Sequence, residues 1–174
     1  MKPARSLKSR ALQWLAQREH SRVELQRKLL PHARAEDAAA AVARPDGSEA
    51  PELAAAAAQR VDTLLDWLQT HAYLSPERFI ESRVHARAAR FGNLRIRGEL
   101  RQHELTLPLE TLQALQAGEL ERARQLCARK FDAVVPAPGE RAKRARFLAG
   151  RGFSPETIHR LLRGLPLPDD TGGG

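Results

Sequence analysis

The stretch from Tyr73 to Leu105 constrains the fold more than any other part of the chain. Ser75-Pro76-Glu77 opens it with a helix-start signal. A serine oxygen can accept from a free first-turn N–H, proline suits the first helical position, and glutamate suits the positive end of the helix dipole. Ile80, Val84, Ala88 and Phe91 then recur on one helical stripe. Gly92 is placed to end that helix through a left-handed turn, and Asn93 to cap a second helix whose apolar stripe is Ile96 and Leu100. Arg83, Arg87, Arg90, Arg95, Arg97 and Arg101 decorate the pair.

The unit recurs on both sides. Leu25, Leu100 and Leu148 are each followed five residues later by an apolar residue, Leu30, Leu105 and Phe153. Glu24-Leu25 mirrors Glu99-Leu100, and Phe153-Ser154-Pro155-Glu156 echoes Leu74-Ser75-Pro76-Glu77. Internal repeats of this kind imply stacked helices, each burying its stripe against its neighbours. The expected boundaries are 6–72, 73–117 and 118–164 for three three-helix repeats, with a disordered tail at 165–174. No segment alternates with period two for long enough to make a strand. The predicted class is therefore all-α, three tandem three-helix repeats stacked into an elongated, curved array.

Within that frame Leu7, Ala11, Trp14 and Leu15 mark the first helix, and Ser21 with Glu24 has capping-box spacing for the second. Pro31 is expected to stop that second helix. Residues 32–58 are rich in alanine and acids and poor in large apolar residues, so they read as a mobile insertion carrying transient helix. Deleting them should barely change stability. Val61, Leu64, Leu65 and Leu68 give a third helix. Leu109, Leu112 and Leu115 predict a helix terminated by Gly118, with a separate helix after it through Leu120, Ala123, Leu126 and Cys127. Residues 136–139 read as a loop, 140–150 as a basic helix, and Ile158, Leu161 and Leu162 as the inward face of the last helix.

The chemistry of the side chains argues against catalysis. The single cysteine, Cys127, excludes an internal disulfide, and its place on an apolar stripe makes it a small buried hydrophobe. The six histidines show no metal-ligand spacing and read as solvated or helix-end residues. No glycine loop is placed to cradle phosphate, and no pair of carboxylates is forced into an apolar pocket. Neither an enzymatic activity nor a cofactor is expected. No apolar run approaches membrane-spanning length, and the N-terminus lacks the apolar segment of a signal peptide, so a reducing cytoplasm is the consistent compartment. Trp14, Trp67 and Tyr73 lie on apolar stripes and read as core residues, not base-stacking platforms.

The arginines carry the signal. The formal net charge is +8, which makes a polyanion or an acidic protein surface the default partner. Basic blocks cover 1–35, 77–107 and 136–174, an acidic block covers 36–76, and 108–135 is balanced. Arg97 and Arg101 are four apart and share a helix face, and Arg22 takes the place of Arg97 when the repeats are aligned on their leucines. Any one arginine is more simply a solvated surface group. Together, Arg22, Arg27 and Lys28, Arg95, Arg97 and Arg101, and Lys143, Arg144 and Arg146 predict a basic strip running across the repeats. Such a strip can follow a phosphate backbone or a row of acidic groups.

Three elements resemble the RecX family of bacterial regulators of the RecA recombinase: Arg18 to Leu30, Tyr73-Leu74-Ser75 with Phe79, and Phe91-Gly92 with Ile96 and Glu99-Leu100. Their order and spacing are similar to that family's three tandem three-helix repeats over roughly residues 6–164. Family members usually carry glycine before the Tyr-Leu and an acid shortly after it, where this chain has Ala72 and Pro76. The resemblance implies an elongated, curved helical protein that binds in the groove of the RecA–DNA filament and restrains its recombinase, ATPase and co-protease activities in DNA repair and the SOS response; a monomer with no membrane contact is expected. Contact with single- or double-stranded DNA would be secondary. The alternative is a stand-alone DNA- or RNA-binding protein using the basic strip. Base reading would call for short polar residues beside arginine, and the helix at 140–150 offers only Arg, Lys and aliphatics.

Overall fold

Four serines set where helices begin. In the computed structural model, which describes residues 5–43, 50–131 and 138–163, Ser6 Oγ accepts from the Ser9 N–H at 3.2 Å and opens α1 (Leu7–Leu15). Ser21 Oγ does the same for Glu24 at 3.1 Å, opening α2 (Arg22–Ala43). Ser75 opens α4 (Pro76–Ala88) through the Arg78 N–H, and Ser154 opens α8 (Pro155–Arg163) through that of Thr157. The other helices are α3 (Ala50–Thr70), α5 (Asn93–Arg101), α6 (Leu109–Lys130) and α7 (Pro138–Gly150). Among the described residues every regular element is a helix, and the chain is an all-α protein of three-helix repeats.

Three helices end in one and the same way. After α3, the Tyr73 N–H donates to Leu68 O and the Ala72 N–H to Gln69 O. After α5 the pairs are Leu105 to Leu100 and Glu104 to Arg101, and after α7 they are Phe153 to Leu148 and Gly152 to Ala149. This double bond pattern is the Schellman stop, which needs a left-handed residue one position before the last donor. Ala72 (φ 58°), Glu104 (φ 60°) and Gly152 (φ 80°) fill that place. The five-residue leucine spacing seen in the sequence is thus a helix stop at Leu100 and Leu148. At Leu25 it is not, because α2 runs on.

That continuation corrects two expectations. Pro31 lies inside α2 and does not stop it. The described parts of 32–58 extend α2 and α3, which pack against each other. Ala33 and Ala57 are fully buried there, so this stretch does contribute to a core. Proline removes one intrahelical bond, but Leu25, Leu29 and Ala33 bury on either side of it and hold the helix in register. Residues 44–49 lie outside the described set, as do 132–137 and 164–174 with the expected disordered tail.

The chain divides into two compact units, Met1–Phe79 and Ile80–Gly174. Unit 1 buries Leu7, Ala11, Leu25, Leu29, Val61, Leu65, Leu68 and Leu74, with Trp14 and Trp67 half-buried against them. Tyr73 is not core: it is 47% exposed and stacks on Trp67 with ring centroids 5.6 Å apart. In unit 2, Ala123, Cys127, Leu148, Phe153 and Leu161 form one cluster, and Ile96 and Leu100 are fully buried.

Gly118 does not end a helix. The helix α6 passes through it and buries Leu115, Glu119, Ala123 and Cys127, a ladder at four-residue spacing. The two helices expected around Gly118 are one. Gly92 likewise takes no left-handed turn: with φ −79° and ψ 167° it is the N-cap of α5, and Asn93 is the first helical residue. Glycine is required there by close approach. A Cβ on Gly92 would stand 2.2 Å from the Phe153 nitrogen and 2.3 Å from the Gly152 carbonyl.

Candidate binding surface

The close approach at Gly92 positions everything on the basic side of unit 2. The Gly92 N–H donates to Arg151 O at 2.9 Å, and the Leu94 N–H to Gly152 O at 3.0 Å, so the start of α5 is bonded to the turn after α7. A buried carboxylate fastens the same place from behind. Glu119, 3% exposed, accepts from the Asn93 N–H through Oε1 at 2.8 Å and from the Ser154 and Thr157 hydroxyls through Oε2, each at 2.7 Å. It ties the first turns of α5 and α8 to α6. Arg122 donates to Asn93 Oδ1 at 2.6 Å and Leu115 O at 3.1 Å; its burial lowers the guanidinium's affinity for its proton, against the opposing pull of Glu119. Sequence reading missed Glu119, yet a signal was present: it sits in register with Leu115 and Ala123, where an apolar residue belongs.

This frame fixes the faces of α5. At about 100° per residue, Leu94, Arg97 and Arg101 share one side, with spacing i, i+3, i+7, while Arg95 lies about 200° from Arg97. Arg97 and Arg101 are exposed and make no ion pair among the described residues, and Leu94 beside them is 48% exposed. Arg95 instead faces a cleft of about 530 Å³, where its Nε is 3.6 Å from Glu99 Oε1. Arg87 Nε reaches the other oxygen of Glu99 at 2.9 Å. The sequence trio is therefore a pair plus one.

The remaining predicted strip residues scatter. Arg22 is committed inside unit 1: its guanidinium pairs with Asp66 at 2.7 Å and Asp62 at 3.5 Å, and bonds Gln69 at 2.6 Å. Arg27 is exposed without an ion pair among the described residues, and Lys28 lies 5.0 Å from the centre of the Trp14 ring. Arg144 is only 7% exposed, against the Phe131 ring at 5.2 Å, and so drops out of any surface strip. Lys143 is exposed and pairs with Glu140 at 3.2 Å; Arg146 is exposed and has no ion pair among the described residues. The sequence could not foresee these sortings, because each depends on which helix faces the arginine.

Other titratable groups are accounted for by packing. His20 is 1% exposed, buried at the start of α2, where desolvation lowers its pKa despite Glu24 nearby. Burial works to raise the Glu24 carboxyl, but the hydrogen bond from Arg18, with help from His20, brings it down to about 2. The carboxylate thus faces Arg18 and His20 in the corner before α2. Cys127 is buried, as its stripe implied; desolvation pushes the thiol up, with Arg144 pulling the other way. Among the described residues no three His, Cys, Asp or Glu side chains come together as metal ligands, and no helix is long and apolar enough to cross a membrane.

By class, then, this is an all-α protein of three-helix repeats whose second unit presents paired, uncommitted arginines beside an exposed leucine. Comparison with known proteins gives the family. Residues 117–162, spanning the second half of α6 with α7 and α8, match the third three-helix domain of RecX. The protein named "Regulatory protein RecX" from Ralstonia nicotianae is 40% identical over 169 residues, covering 96% of this chain and 92% of its own. The one from Herbaspirillum seropedicae is 44% identical over 171 residues, covering 97% of each. A Pseudomonas fluorescens relative of the same name is 39% identical over 163 residues, covering 91% of each. The chain belongs to the RecX family of regulatory proteins.

Proposed function

We propose that this protein binds the RecA–DNA filament and restrains its strand exchange, ATP hydrolysis and co-protease activity, acting as a cytoplasmic monomer through the exposed side of α5. The repeats at 6–72, 73–117 and 118–164 would each offer a helix face, with the central one making the principal contact. The observation that carries the reading is the trio of Leu94, Arg97 and Arg101. Two arginines free of ion pairs among the described residues flank an exposed apolar side chain. Acidic groups on a protein partner would satisfy the arginines and an apolar patch would cover Leu94, which suits a protein surface better than a bare phosphate backbone. Catalysis by the chain itself has no part in this reading, and contact with the filament's DNA is secondary.

The test is Arg97→Glu with Arg101→Glu, assayed for inhibition of recombinase ATP hydrolysis and strand exchange. Each change removes an attraction and adds a repulsion, so inhibition should fall at least tenfold. Helicity should be unchanged, because Ile96 and Leu100 and not the arginines occupy the buried side. Wild-type inhibition should also weaken steeply as salt rises. A folded double variant that inhibits at the wild-type concentration would remove α5 from the contact. A wild type that ignores filament yet holds one DNA sequence tightly would make the protein a stand-alone nucleic-acid binder.

A further inference from the structure

On the other side of α5, four guanidinium groups converge on one aromatic ring. The Arg95 Cζ lies 4.3 Å from the centre of the Phe91 ring, Arg87 5.5 Å, Arg151 5.6 Å and Arg90 6.0 Å. They come from three separate segments: α4 and the turn after it, α5, and the turn after α7. Only the Gly92–Gly152 contact lets the last of these join, since a Cβ on Gly152 would meet the Arg95 Cβ at 2.5 Å. Phe91 is 8% exposed and attracts cations over its face, but that attraction is small beside the mutual repulsion of four like charges. One carboxylate answers them. Glu99 pairs with Arg87 and Arg95, while Arg90 and Arg151 have no ion pair among the described residues. Three positive charges remain unbalanced beside the cleft that Arg87, Arg95 and Glu99 also line.

We infer that this cluster is a phosphate-binding site, and that its ligand is the backbone of a nucleic-acid strand. Planar guanidinium forks match phosphate oxygens in pairs. A single added carboxylate would leave the cluster still strongly positive, whereas successive phosphodiesters along a strand can neutralise it. The four guanidinium groups dominate the cluster and no Phe, Tyr or Trp face is exposed within it, so it grips the strand through its backbone with little sequence preference. Glu99 acts as an internal counter-ion that the phosphate displaces. The site shares no arginine with the Leu94, Arg97 and Arg101 face and needs no recombinase. It gives the secondary DNA contact of the filament reading a location of its own.

The experiment uses the full chain and a fluorescent 20-nucleotide oligothymidylate, titrated across a salt series without recombinase. Arg90→Gln with Arg151→Gln leaves the Glu99 pairs intact and should weaken binding at least tenfold in low salt. The slope of log affinity against log salt should become shallower by roughly one to two, the scale expected for two lost phosphate contacts. Glu99→Gln should change binding in the opposite direction, tightening it several-fold, which damage to the fold would not do. Arg124→Gln on α6 serves as the charge control and should move neither quantity beyond what loss of one distant charge explains. Inorganic pyrophosphate should compete with the oligonucleotide. Wild-type affinity and slope in the Arg90/Arg151 variant, or weaker binding in Glu99→Gln, would overturn the site. Pyrophosphate binding without oligonucleotide binding would overturn the nucleic-acid assignment in favour of a free polyphosphate. Failure here with loss of inhibition in the Arg97/Arg101 variant would leave the filament reading standing, and the converse result would leave this one.

Discussion

The two units differ in how far their arginines find acidic partners. In unit 1 several arginines are matched with acids: Arg22 pairs with Asp62 and Asp66, Arg60 with Glu36 and Asp37, Gln26 bonds Asp62, and Arg78 reaches Glu19 at 2.7 Å while tying down the carbonyls of Ala72 and Tyr73. These three arginines hold helices together, although Arg27 stays exposed without an ion pair among the described residues. In unit 2, Arg90, Arg97, Arg101, Arg146 and Arg151 have no acidic partner among the described residues, and Glu99 alone serves two others. The buried carboxylate, Glu119, goes to N–H and O–H donors and so does not serve these five arginines. A surplus that is neutralised builds structure, and one that is left over attracts a partner. The overall charge of +8 hides this division.

The hardest way to break unit 2 is Gly92→Ala. Its Cβ would fall well inside contact distance of backbone atoms of Gly152 and Phe153, which cannot rotate away as a side chain could. The loss should be about 3 kcal/mol or more. Amide exchange should rise in α5 and α8 and stay near wild-type in α1 to α3. Uniform loss of protection would mean the two units unfold as one.

A deletion of 32–58 with a short bridge tests unit 1. It removes the buried Ala33 and Ala57 and both acids that hold Arg60. Burial at about 0.8 kcal/mol per methyl-sized group, plus the half-exposed pairs, amounts to about 2 kcal/mol, or roughly 5–8 °C in midpoint. Sequence composition alone had suggested almost no change. A deletion variant melting within 2 °C or so of wild type would restore the reading of this stretch as a dispensable insertion.

Next in size is a matched pair, Arg22→Ala and Arg97→Ala. The first leaves Asp62 and Asp66 close together without their cation, and should cost about 0.5–1 kcal/mol in denaturant unfolding with inhibition intact. The second should change stability by less than about 0.5 kcal/mol and weaken inhibition. The repeat alignment treats these two residues as equivalent. If both changes behaved alike, the contrast between the units would fail.

Local signals were legible wherever one residue's own chemistry decides. The Ser75-Pro76 and Ser154-Pro155 starts, the stripe of Ile96 and Leu100, and the leucine spacing at 100/105 and 148/153 are properties of short segments, and they hold in the structure. Pro31, Gly92 and Gly118 were misread because each is a helix breaker by propensity, and tertiary contacts overrule propensity. Packing of α2 on α3 carries the helix past Pro31. The continuous buried ladder of α6 carries it past Gly118. At the binding surface, the positions of the arginines along the chain were legible but their partners were not. Arg22 and Arg97 look alike until α3 places two aspartates beside one of them. Arg144 sits in a basic run yet packs under Phe131.

The smallest effect separates the two units at a single equivalent position. The left-handed residue of the three Schellman stops is Ala72 in unit 1, and Glu104 and Gly152 in unit 2. A non-glycine residue in that conformation costs about 1–2 kcal/mol through its Cβ, partly offset because glycine also gains freedom in the unfolded chain. Ala72→Gly should therefore stabilise the protein, by about 0.5–1 kcal/mol, or roughly 2–3 °C. Ala72 is exposed, so its methyl group gives up little packing. Gly152→Ala is the mirror test: it adds the same backbone strain and also drives a Cβ to 2.5 Å from that of Arg95, so it should destabilise by clearly more than Ala72→Gly gains. It should weaken oligonucleotide binding as well, because it forces apart the turn that brings Arg151 to Phe91. Ala72→Gly gives the stop the residue its left-handed backbone favours. A midpoint unchanged or lowered by that substitution would show that the strain is relieved elsewhere in the turn, where Arg78 donates to the Ala72 and Tyr73 carbonyls at 3.0 and 3.1 Å. Repeating the measurement in an Arg78→Ala background would then expose the missing gain.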